Sequence, residues 1–103
     1  MATRATILIE GVNFAKVYVH WDGYPSHQLP WLKAFNKEFT NQRGEDPEYK
    51  FAQLLRHTVK MADEYTLDDS EFTGWGVVGY NDNCGAEYEY VLRARGRVTH
   101  KEL

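Results

Sequence analysis

The apolar residues of this chain recur at every second position near both ends and at every third or fourth position between them. A period of two belongs to a strand with one buried face, and a period near 3.6 to an amphipathic helix. The first stretch covers residues 6–9, pauses at Glu10 and Gly11, and resumes over residues 14–21. Its second part alternates, with Val17, Val19 and Trp21 opposite Tyr18, His20 and Asp22. Two strands joined by a turn around residues 11–13 are expected. Asp22-Gly23-Tyr24-Pro25 then ends the second strand, because glycine frees φ and proline removes a donor.

Trp31, Leu32, Phe35 and Phe39 follow at helical spacing and predict a short helix beginning between Ser26 and Pro30. Residues 40–44 read as a polar loop. The next helix has the clearest start in the chain: Asp46 as N-cap, Pro47 at the first helical position, and Glu48 facing the positive end of the dipole. Phe51, Leu54, Leu55, Thr58, Met61, Ala62 and Tyr65 trace its apolar face. An acidic connection at residues 67–73 leads to two further strands, 75–80 and 86–94, joined by a turn at 81–85. The order ββααββ predicts an α+β two-layer sandwich, one domain over residues 1–103. Its four-stranded antiparallel sheet would carry two helices side by side on one face. Trp31, Phe35, Phe51, Leu55 and Ala62 are the expected buried residues of the helix layer.

With 103 residues, 43% hydrophobic and 26% charged, the chain has the profile of one small soluble domain. Twelve Lys and Arg against fifteen Asp and Glu give a net charge of −3. That balance argues against direct nucleic-acid binding, which requires a surplus of cations. No apolar run approaches the roughly 18 residues of a membrane span, so no membrane association is expected. Cys84 is the single cysteine, which rules out an internal disulfide and four-cysteine zinc sites. A lone thiol and a start without the apolar core of a signal peptide predict a cytoplasmic protein.

The motifs carry less chemistry than their outlines suggest. Gly74-Trp75-Gly76-Val77-Val78-Gly79 matches G-x-G-x-x-G, but the dinucleotide fingerprint needs a helix after it, and here a turn follows. The glycines are better suited to letting a bulky neighbour lie over bare backbone, and no cofactor is expected. His20 and Asp22 fall on one strand face with His27 just beyond the turn. The trio suits either a divalent metal or a base with its orienting carboxylate, or else a histidine bonded to a turn-forming aspartate. Cys84 sits near Asp82 and Glu87, which raise a thiol pKa rather than lower it. Motifs for nucleophilic catalysis are absent from the sequence, and no catalytic residues are assigned.

Charge is distributed unevenly. From Met61 to Leu92 there are eight acids (Asp63, Glu64, Asp68, Asp69, Glu71, Asp82, Glu87 and Glu89) and neither Lys nor Arg. Arg93, Arg95, Arg97 and Lys101 then crowd together. The acids make either a solubilising rim or a patch for a basic partner, with Tyr80 and Tyr88 as anchors.

Met1-Ala-Thr-Arg-Ala-Thr-Ile7, and Val17-Tyr-Val-His-Trp-Asp-Gly-Tyr-Pro-Ser26 after it, resemble a family of small, largely uncharacterised bacteriophage and prophage proteins. Those proteins open with Met-Gly-Thr-Arg-Ser and carry an aromatic-Asp-Gly-Tyr-Pro turn after their second strand. The match covers about the first quarter of the chain and falls on Arg4, His20, Asp22, Gly23, Tyr24 and Pro25, with departures at Ala2 and Ala5. The resemblance implies an accessory protein acting in a bacterial host's cytoplasm, but carries over no reaction. The expected function is therefore stoichiometric binding, as monomer or homodimer, to a host protein or ribonucleoprotein with a basic surface. An inhibitor of a defence or nucleic-acid-processing complex, in the manner of an anti-CRISPR, is the specific form. The alternatives are a small metal-assisted enzyme using His20, Asp22 and His27, and a nucleic-acid contact through the arginine-rich end.

Overall fold

A computed structural model describes residues 3–62 and 74–103. The elements are β1 (Ala5–Ile9), β2 (Ala15–Val19), α1 (Pro25–Arg43), α2 (Pro47–Ala62), β3 (Trp75–Gly79), β4 (Tyr88–Leu92) and β5 (Val98–Glu102). The α+β class is as expected, but the sheet has five strands among the described residues, in the order β3-β2-β1-β4-β5. It is also mixed rather than antiparallel, because β1 pairs with β4 in parallel, Ala5 opposite Tyr88 and Ile9 opposite Leu92.

Residues 80–87 therefore do not form a hairpin. They return the chain to the end of the sheet where β1 begins, crossing the face away from the helices. Asn83 Oδ1 accepts a bond from Lys16 Nζ at 3.4 Å there, and Glu87 N donates to Arg4 O at 2.8 Å. This covering explains why β1 is buried at all five positions. Ala5, Ile7 and Ile9 enter the core, while Thr6 and Leu8 are buried on the opposite face. Tyr90 and Leu92 are fully buried, in keeping with the internal position of β4 between β1 and β5.

The fifth strand takes up the arginine-rich end, to which the sequence pattern assigned no element. Arg95 and Gly96, both at positive φ, turn the chain so that β5 pairs antiparallel with β4. Asn36 of α1 holds this turn from beneath, its Nδ2 donating to Arg93 O at 3.0 Å and Arg97 O at 2.7 Å. Arg93 pairs with Glu10 at 2.9 Å, and Lys101 lies 3.8 Å from Glu89. Two cations of the supposed nucleic-acid contact are thus engaged within the fold.

The helix α2 starts at Pro47 as expected, with Asp46 Oδ1 accepting from Tyr49 N at 3.4 Å. The first helix is longer than its pattern suggested. It begins at Pro25 and runs to Arg43, where Gly44 at φ 72 ends it by donating to Thr40 O. Leu32 and Phe35 of α1 and Phe51 and Leu54 of α2 join one core with Ile7, Val17, Tyr90 and Leu92, so both helices lie on one face of the sheet. Phe35 and Phe51 are buried as expected, whereas Trp31 and Leu55 are only partly covered. Ala62 lies in α2, but its side chain falls outside the described residues. The helices do not pack side by side along their length; an open cleft separates them.

Asp22-Gly23-Tyr24-Pro25 is wired into this core through its backbone. Gly23 N donates to Thr3 O at 2.8 Å, Gln28 Nε2 donates to Asp22 O at 2.9 Å, and the Tyr90 hydroxyl donates to Gly23 O. Trp31 Nε1 completes the chain by donating to Gln28 Oε1 at 2.8 Å. Burial pushes the Tyr90 phenol well above its ordinary value. The hydroxyl keeps its proton in the fold, while the unfolded chain releases it from about pH 10 upward, so stability falls as pH rises above that point. At neutral pH, Tyr90→Phe should cost about 1–3 kcal/mol, because Gly23 O loses its buried donor. Urea unfolding should show this gap narrowing as pH climbs past about 10. A gap that stays constant would mean the phenol ionises as readily inside as outside.

Candidate functional site

The cleft between α1 and α2 follows directly from the helical repeat. Trp31, Phe35 and Phe39 stand one turn apart on α1, while Tyr49, Gln53 and His57 do the same on α2. These stripes face one another across a cavity of about 600 Å³. Phe35 and Phe39 are buried and form its floor, with ring centroids 6.3 Å apart. The walls are aromatic as well, with His57 edge-on to Phe35 at 5.0 Å and Tyr49 tilted against Phe39 at 6.1 Å. Trp31 closes one end, its indole edge against Trp75 of β3 at 6.1 Å.

Polar groups line the rim. The Arg43 guanidinium lies 3.9 Å from the centre of the Tyr49 ring and pairs with Asp46 at 3.0 Å. Stacking and pairing together fix both side chains in place. Gln42 Nε2 donates to Glu38 Oε1, and Arg56 donates to Gln53 Oε1. Lys50, on α2 behind the floor, is almost wholly buried and holds its ammonium 5.6 Å from the Phe39 ring. Desolvation pushes its pKa down, with the opposing pull of Glu45 and Glu10 as smaller effects. An apolar floor under a rim of fixed polar groups is the make-up of a ligand or peptide pocket.

The residues singled out from the sequence are dispersed. His20 pairs through Nδ1 with the Tyr18 hydroxyl at 2.8 Å and packs edge-on to Trp21, not against Asp22. Asp22 sits at φ 55, exposed, and contributes its carbonyl rather than its carboxylate. His27 packs on Tyr24. Among the described residues no three His, Cys, Asp or Glu side chains converge as a metal site. Pro25 opens α1, and Arg4 lies beside the crossover, its guanidinium near Gly85.

The acidic span is divided in the same way. Asp63, Glu64, Asp68, Asp69 and Glu71 lie outside the described residues. Asp82 closes its own turn by accepting from Cys84 N at 3.0 Å, and that carboxylate holds the Cys84 thiol above its ordinary value. Glu87 accepts from Arg4 N at 3.3 Å, and Glu89 stands beside Lys101. Tyr88 packs against the core, whereas Tyr80 is exposed. Of the three described acids, Glu89 stands in an ion pair with Lys101, while Asp82 and Glu87 accept from backbone N–H groups.

Sequence reasoning identified Trp31, Phe35 and Phe39 only as a core stripe. The signal it passed over was the second stripe on α2, where Tyr49, Gln53, Arg56 and His57 stand off the apolar face. Among the described residues, no helix is long and apolar enough to cross a membrane. Comparisons with known protein families, with curated proteins and with solved structures return no match to this chain.

Proposed function

We propose that this chain is a stoichiometric binding protein whose contact surface is the cleft between α1 and α2. The observation that carries this reading is the set of aromatic rings held around an open cavity, with arginines at its rim. Tyrosine, tryptophan and arginine dominate the energetics of protein interfaces, the aromatics because they bury large areas with few rotatable bonds and arginine because its planar guanidinium both stacks and donates. Tyr49, clamped between Arg43 and Phe39 yet 43% exposed, is ordered before a partner arrives. Ordering in advance lowers the entropy lost on association.

The phage-type motif at the start of the chain supports a narrower form, an inhibitor of a host defence or nucleic-acid-processing complex. That narrower form rests on the resemblance alone. The Asp22–Pro25 turn supports the reading indirectly, since its backbone bonds fix where α1 begins.

A photo-crosslinking residue placed at Gln53 tests the surface in host cells. It should yield a discrete protein adduct, and the same group at Thr99 on the far face should not. Tyr49→Ala should lower the yield about tenfold, the effect of losing one interfacial anchor. An adduct of equal yield from Thr99, or one indifferent to Tyr49→Ala, would place the contact elsewhere.

A further inference from the structure

The two edges of the sheet are built differently. On β5, Thr99, His100, Lys101 and Glu102 are exposed, and charges of this kind discourage another strand from adding. On β3, Trp75–Gly79 reads Trp-Gly-Val-Val-Gly, with no charge and no proline. Among the described residues it has β2 on one side and no strand on the other. Val77 points to the helix-bearing face and is 54% exposed, so the helix layer stops short of this edge. A Cβ placed on Gly76 or Gly79 would meet no atom within 4 Å.

The hydrogen-bond phase of β3 shows which groups are on offer. His20 N donates to Gly74 O at 3.0 Å, and Tyr80 N donates to Phe14 O at 3.3 Å. Bonded pairs alternate along an antiparallel ladder. Gly76 and Val78 therefore direct their N–H and C=O groups at β2, while Trp75, Val77 and Gly79 direct theirs outward.

We propose that β3 is the contact strand of a homodimer, two copies pairing antiparallel about a two-fold axis at Val77. In that register Val77 meets Val77 of the second copy, Trp75 meets Gly79, and Gly76 meets Val78. Each bulky side chain beyond the axis faces a glycine, and the outward groups of residues 75, 77 and 79 fall opposite one another as bonded pairs. No like charges meet, and both helix layers stay on the same side of a continuous sheet. The contact is isologous and closed. The strand contributes five residues from each copy, against roughly 20–30 a side in a standard interface, so the dimer exchanges with monomer in the micromolar range.

Sedimentation equilibrium tests this on the full chain. The parent should shift from 12.0 kDa toward twice that mass as concentration rises through the micromolar range. Val77→Pro should stay monomeric with an unchanged circular dichroism spectrum, because the lost N–H faces away from β2. Val77→Lys and Val77→Glu should each be monomeric alone and form a heterodimer when mixed, since residue 77 faces its own counterpart. The mixing experiment decides the matter even if the proline variant fails to fold. A parent that remains at 12.0 kDa at several hundred micromolar overturns the proposal. So does a dimer that survives Val77→Lys, or a Lys and Glu pair that does not associate.

Discussion

Leu54→Ala should lower the stability of this domain by about 2–5 kcal/mol, and Leu55→Ala by about 1 kcal/mol. Leu54 is wholly buried between α2 and the sheet, whereas its neighbour only leans on the core from one side. Removing three carbons at position 54 leaves a cavity that rigid strands cannot fill. A domain of this size has roughly 5–15 kcal/mol in hand, so the first variant loses a large share of it. Urea midpoints measured side by side give the comparison directly. Equal midpoints would mean that α2 is rotated by about 100° from the orientation described.

Gly23→Ala should be nearly as damaging, at about 3 kcal/mol, although it adds only one carbon. A Cβ there would lie 2.7 Å from Thr3 O and 2.8 Å from the Ala5 Cβ. Neither neighbour can yield, because Thr3 O accepts the Gly23 N–H and Ala5 begins the central strand. Relief would require withdrawing Gly23 O from Tyr90, and with it the anchor of α1. Thermal unfolding should show the loss, and Asp22→Asn, which removes only an exposed charge and keeps a residue type that tolerates φ 55, serves as its control. A melting temperature left unchanged by Gly23→Ala would mean that the turn is not fixed as described.

The parts of this fold that local chemistry dictates were readable from the sequence. Asp46-Pro47-Glu48 starts α2 where it should, since capping, proline and dipole act within one turn. Alternation within residues 14–21 predicted β2, which spans Ala15–Val19, and the turn expected at residues 11–13, with Gly11 at φ 98, makes its hairpin. What was hidden depends on residues far apart in the chain. Nothing between Tyr80 and Glu87 announces that β4 will pair in parallel with β1, because eight residues with a glycine look like a hairpin loop. β5 escaped notice for a related reason: an edge strand exposed on both faces has no burial pattern to display. The candidate site divides in the same way. Phe35 and Phe39 were legible as buried aromatics, but a cleft is a property of two helices and their separation, not of either stripe alone. Gly76 and Gly79 were expected to lie under a bulky neighbour, but a Cβ at either would meet no atom within 4 Å, and only the sheet order reveals that they lie on an edge.

The parallel pairing of β1 with β4 also bears on how the molecule comes into being. Arg4 and Glu87, whose main chains join beside this pair, are 83 residues apart. During synthesis the hairpin of β1 and β2 can form early, but its inner edge stays open until Tyr88–Leu92 have left the ribosome. Until then Ile7 and Ile9, the most apolar stretch of β1, wait with one flank exposed to whatever strand arrives first. Bringing distant segments together is slow compared with forming either helix, so closure of this long loop sets the pace of folding.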